Sequence, residues 1–354
     1  MWAGGAYGYL LDYLVLCGLV VSLLVHTWCF FKLFPREKHH KTGLVLGNML
    51  VMLAMLGVVA LAMETHIRFT MVATDSFGVS LPARRWFALN TKLNSLGCRD
   101  KEWSAEKPPG VTRIAFVGDS FTYGWGIKRT ADRFPDLIQA RFDARAPGTV
   151  EILNVAKPGW NTGDELQPTT DMIERYGVDE VVLCYVPNDI EGLIPTTDDF
   201  NPTRPPEPVL FNPDSFCLLD YLYRRVYLPR LPTVRGFDDW LAEGYADETI
   251  WRAHQKQLFA IKRVCDQHDV RLRVALLPFI KTGGEKLHLD KLFALLERLL
   301  DVNGFEYADL LPSITGVPSG DLVVNASDAH PNEEANRRFA EALWQAFYAS
   351  RKPK

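Results

Sequence analysis

A chain of 354 residues with net charge −4 and pI near 6.1 has room for one large domain plus a further segment. It lacks the basic excess that marks nucleic-acid binders, so no nucleic-acid partner is expected. Apolar residues make up 47% of it and crowd into the N-terminal part, which argues against a purely soluble chain.

Residues 13–31, YLVLCGLVVSLLVHTWCFF, and 43–63, GLVLGNMLVMLAMLGVVALAM, contain no Asp, Glu, Lys or Arg. Each matches the ~20 residues that a helix needs to cross ~30 Å of hydrocarbon. They predict a two-helix transmembrane hairpin, about 9–34 and 43–64, forming an anchor of residues 1–64. Lys32, Arg36, Lys38 and Lys41 lie between the runs, whereas the flanks carry Arg68 as their one Lys or Arg. The positive-inside rule then puts the basic loop in the cytoplasm and both flanks on the extracytoplasmic side. A signal sequence cleaved near ALA at 60–62 is the competing reading, but it leaves the first apolar run without a role. Asp12 and His26 read as an interfacial acid and a neutral histidine facing the second helix.

Residues 65–110 read as a linker and lead-in that ends in a Pro-Pro-Gly break. From there to 350 the chain reads as one domain. RIAFVG, VEILNVA, DEVVLCYV and LRVALLPF are short, nearly continuous apolar runs, as expected of parallel strands covered on both faces. Helical patterns alternate with them at 134–144, 164–175, 249–267, 290–300 and 333–347. The alternation predicts an α/β, doubly wound parallel sheet with its site beyond the carboxyl ends of the strands. An insertion at about 191–248, proline-rich and then aromatic and basic, reads as a functional cover or as a segment resting on lipid. Among the six cysteines Cys17 and Cys29 fall in the spans, and the others show no C-x-x-C spacing. No zinc site, other metal or cofactor is therefore expected. An exterior location permits a disulfide, with Cys98 and Cys217 as one candidate pair.

The stretch after the first strand, VGDSFTYGWG, fits neither a Walker loop, nor a dinucleotide fingerprint, nor the G-x-S-x-G elbow. Taken alone, Ser120 is a helix cap more readily than a nucleophile. The other strand ends shift that balance, because Gly159, Asn188 and His330 each follow an apolar run or open a helix. Together GDSFTYG, AKPGWN, VPND and DAHPN resemble the SGNH (GDSL-type) hydrolase superfamily over roughly residues 95–350. The segment LNSLGCRD is similar to the lead-in of its membrane-anchored bacterial members.

The resemblance implies a flavodoxin-like SGNH hydrolase fold, with Ser120 as nucleophile, His330 as general base and Asp328 orienting the imidazole. The oxyanion hole would be the Ser120 and Gly159 backbone N–H groups and the Asn188 amide. Asp119 would brace the turn. Two positions depart from the pattern. Val186 stands where a glycine is usual, and Ser327 stands where the acid often lies, leaving Asp328 two residues before His330 and Asp321 as the fallback. The implied activity is hydrolysis of acyl esters, acetyl foremost, on an envelope glycan or lipid. O-acyltransfer with an integral-membrane acyltransferase partner, and a non-catalytic SGNH-like membrane partner, remain as alternatives.

Overall fold

The computed structural model describes residues 6–33, 40–197, 200–204, 206–280 and 289–350. The chain divides into two units, one of Met1–Ala73, Gly78–Trp86 and Pro205–Leu231, the other of Thr74–Phe77, Phe87–Arg204 and Pro232–Lys354.

The second unit is built on a parallel sheet of β1 (Thr112–Gly118), β2 (Val150–Ala156), β3 (Glu180–Tyr185), β4 (Arg271–Leu276) and β5 (Glu306–Asp309). Its order, β2-β1-β3-β4-β5, is the flavodoxin-like one. The strands are apolar throughout because both faces are covered. Ala115 and Val117 join Met172, Leu258 and Ile261 on one side, while Ile114 and Phe116 join Phe134, Ile138 and Phe339 on the other. Full burial of each of the larger of these side chains contributes about 1.5–3 kcal/mol. Four strands coincide with the apolar runs of the sequence. The fifth, EYAD, is a four-residue edge strand with two acids and no run to announce it. β2 and β3 flank β1 on opposite sides, so the chain changes direction across the sheet there, opening a crevice at the carboxyl ends of β1 and β3.

In the first unit, helices Ala6–Leu33 and His40–Phe69 are long and apolar enough to cross a membrane. Large side chains such as Leu14, Val21, Met55 and Val59 point outward, and only 11% of each apolar window is buried. His26 is satisfied inside its own helix, Nδ1 donating to Ser22 O at 2.7 Å. The second helix runs past the expected end at 64 because Glu64 and Arg68 pair one turn apart. It stops where the Arg85 guanidinium donates to the carbonyls of Ile67, Arg68 and Met71, a cation on the negative end of the helix.

Two expectations need correction. The lead-in carries a helix of its own, Leu81–Asn90, since LPARRWFALN has good helix formers with Pro82 in the first turn. All six cysteines are free, so the Cys98–Cys217 disulfide is absent. Cys98 sits in an apolar cluster with Trp103, and the Cys217 N–H is bonded to Glu64.

Candidate active site

Ser120 stands on the turn that follows β1. A Cβ on Gly118 would come within 2.3 Å of Thr122 Oγ1 and 2.9 Å of Cys184 Cβ, so only glycine lets the strand run into this turn. Asp119 caps the four-residue helix Ser120–Tyr123 by accepting from Phe121 N at 2.8 Å. Cap and serine are therefore neighbours, and the capping task that Ser120 was suited to falls to Asp119.

His330 lies on β7 (Asp328–Pro331), which pairs antiparallel with β6 (Val323–Asn325). Its Nε2 is 2.9 Å from Ser120 Oγ, and its Nδ1 is 2.6 Å from Asp328 Oδ1. A carboxylate on Nδ1 selects the tautomer with the proton there, leaving Nε2 to accept from the serine hydroxyl. The two-residue spacing of Asp328 and His330 works because alternate residues on a strand share a face. Asp328 Oδ1 also accepts from the His330 backbone N–H at 3.2 Å. Burial pushes the Asp328 carboxyl up, but the facing His330 and these bonds outweigh it and hold the group below its ordinary value. Ser327 turns its carbonyl to Ser76 N, and the Asp321 carbonyl accepts from Asn332 Nδ2.

Two aromatic rings lie near the imidazole. Trp125 stacks on it with centroids 5.1 Å apart and planes at 24°, and Phe121 lies 5.6 Å away. Trp125 is fixed in turn by its indole N–H on Asp75 O at 3.1 Å and by Phe87 edge-on at 4.4 Å. Ser76 bonds Ser327 and Ala329 on the hairpin that carries His330. Residues 74–76 fell in the sequence-read linker, and nothing in their pattern signals this role.

Asn188 is in the tight turn Pro187–Leu193 after β3. Asp189 Oδ2 braces that turn by accepting from Val186 N at 3.1 Å, and burial raises the Asp119 and Glu191 carboxyls with the nearby Asn188 side chain opposing the rise in part. Val186, the unusual residue, is fully buried in the apolar cluster with Phe121 and Leu277. Gly159 has left-handed backbone, φ 79°, in an exposed turn, and among the described residues beyond its chain neighbours no heavy atom comes within 4 Å of where a Cβ would stand. That leaves the backbone open to a ligand.

Behind the serine turn lie acids that the sequence did not single out. Glu165 is fully buried with neither carboxyl oxygen hydrogen-bonded among the described residues, and Asp189 is 1% exposed. Burial pushes both well above the carboxylate range, the charge of Asp119 adding to the rise of Glu165 and that of Glu165 to the rise of Asp189. Burial likewise carries Asp119 to about 6 and Glu191 to about 7. In the window from about pH 4 to about pH 7 the folded state thus keeps protons that the unfolded chain has released, so stability falls as pH rises. Glu165→Gln is expected to flatten that fall, because the amide has no proton for the unfolded chain to release. Thermal unfolding midpoints across this range check it, and parallel profiles for variant and wild type would contradict it. The signal for Glu165 was weak, since a lone Glu in an amphipathic helix reads as a solvated face.

A model of the GDSL-like lipase/acylhydrolase family matches residues 116–338. Among solved structures, TesA is 12% identical, covering 67% of this chain and 99% of its own, with a TM-score of 0.43. The psychrotrophic esterase EstA from Pseudoalteromonas sp. is 16% identical, with coverages of 67% and 97% and a TM-score of 0.42. An acetylxylan esterase from Geobacillus stearothermophilus is 12% identical, with coverages of 68% and 97% and a TM-score of 0.41. No curated protein sequence matches the chain.

Proposed function

The chain belongs to the GDSL-like lipase/acylhydrolase family, and on that premise we propose a membrane-anchored serine esterase that removes acyl groups, acetyl foremost, from an envelope glycan or lipid. The observation that carries the reading is the relay in which Asp328 bonds His330 and His330 bonds Ser120, at 2.6 and 2.9 Å.

A serine hydroxyl is a weak nucleophile at neutral pH. As its Oγ attacks the ester carbonyl carbon, His330 Nε2 takes the proton, and the Asp328 carboxylate stabilises the imidazolium that forms. The carbonyl oxygen becomes an oxyanion, to which the Ser120 and Gly159 N–H groups and the Asn188 amide donate. Collapse expels the alcohol with the proton from His330. Water, deprotonated by the same nitrogen, then releases the acid and restores Ser120. The Trp125 ring stacked on the imidazole favours one ring plane through both proton transfers.

The two apolar helices support anchorage, and the basic loop between them supports a catalytic domain on the extracytoplasmic side. A site so tethered meets polymers and lipids of the envelope before any free metabolite. Full-length protein in detergent, given an acetylated envelope glycan, is expected to release free acetate, and Ser120→Ala to release none. Acetyl appearing instead on an added sugar acceptor would replace hydrolysis with O-acyltransfer. If Asn188 is an oxyanion donor, Asn188→Ala lowers kcat by about 10²- to 10³-fold with KM little changed. A loss confined to KM would remove Asn188 from that role.

A further inference from the structure

We infer that the helical segment from Cys217 to Tyr227 lies in the interfacial zone of a lipid bilayer, its outward face in contact with acyl chains. The inference rests on the reading of helices Ala6–Leu33 and His40–Phe69 as membrane-spanning.

Within the first unit this segment begins as helix Cys217–Leu222 and continues through a wider turn, Tyr223–Tyr227. Its start is fastened to the end of the second apolar helix. Glu64 accepts from the backbone N–H groups of Cys217 and Leu218 at 3.2 and 2.6 Å, and Arg68 donates to Ser215 O at 2.7 Å. The sidedness of the segment is inverted relative to a helix packed in water. Its sheltered face carries Cys217, Asp220 and Arg224, the last two ion-paired at 2.8 Å. Its outward face carries Leu219, Leu222 and Val226, at three- and four-residue spacing and 46%, 42% and 47% exposed.

Water on that side would penalise the arrangement, whereas hydrocarbon rewards it. Nearby Val209 and Leu210 are 97% and 96% exposed, extending the apolar surface. Tyr221, Tyr223 and Tyr227, with Arg224 and Arg225, supply the amphipathic rings and long cations that favour the headgroup level. The occupant is the same bilayer that the two long helices enter, because the start of the segment is hydrogen-bonded to the end of the second helix.

The test places a benzophenone amino acid, one site at a time, in the full chain reconstituted into phospholipid vesicles. Leu222 and Val226 report the stripe, Met55 in the middle of the second helix reports the span, and exposed Arg252 on the other unit is the aqueous control. Lipid adducts at Leu222 and Val226 with a yield like that at Met55, and none at Arg252, are expected. Lipid adducts at Met55 alone, or protein adducts at Leu222 and Val226, overturn the inference and leave the spanning reading intact. Absence of lipid adducts at all three sites overturns both.

Discussion

Ser120→Ala is expected to lower kcat on a short acyl ester by roughly 10⁴- to 10⁶-fold, the range seen when a serine nucleophile acting with its base is removed. The folded state should barely register the change. The hydroxyl is half-buried, its close bond is to His330 at 2.9 Å, and its contact with Asp119 is long at 3.4 Å. Losing such a bond costs about 1 kcal/mol, and the Asp119 cap that holds the turn is untouched. A fluorophosphonate probe should label the wild-type chain at one serine and leave the variant unlabelled. An unlabelled wild-type chain that still needs residues 111–350 for its cellular role would favour the non-catalytic alternative.

Asp328→Asn is the second large effect, with an expected fall in kcat on the order of 10⁴-fold. The amide matches the carboxylate in shape, so the hairpin and the 2.6 Å contact can persist. What changes is the proton. An amide nitrogen facing Nδ1 favours the tautomer with hydrogen on Nε2, which aims a donor at Ser120 Oγ where an acceptor is required. A purely structural role predicts a lowered melting temperature with kcat nearly intact. A tautomer role predicts the reverse, and the two measurements on one preparation separate them. Asp321→Asn should leave kcat unchanged, because that residue serves the hairpin through its backbone carbonyl.

The sheet and the chemistry-bearing ends of its strands were legible in the sequence for a physical reason. A strand covered on both faces must be apolar at every position, and VEILNVA or EVVLCY leaves no other choice. The edge strand Glu306–Asp309 escapes that rule and was missed. Ser120, Asn188 and His330 were legible because glycine, proline and a small polar residue cluster where a strand must turn. The acids behind them were not. Glu165 and Asp189 are ordinary letters in helical and turn contexts, and only their burial makes them unusual. The burial of the Val186 side chain in the apolar cluster is a fact of packing that spacing cannot convey.

Thr74–Phe77 belongs to the catalytic unit although the segments on both sides of it in sequence belong to the other. Cutting the chain after the second apolar helix to obtain a freely diffusing enzyme is therefore sensitive to a few residues. A start at Leu81 removes the carbonyl of Asp75 that holds the Trp125 indole and the Ser76 hydroxyl and amide that tie down the histidine hairpin. A start at Ala73 keeps them. The tether thus carries part of the frame of the enzyme, and the two ways of releasing it differ in how firmly His330 is held.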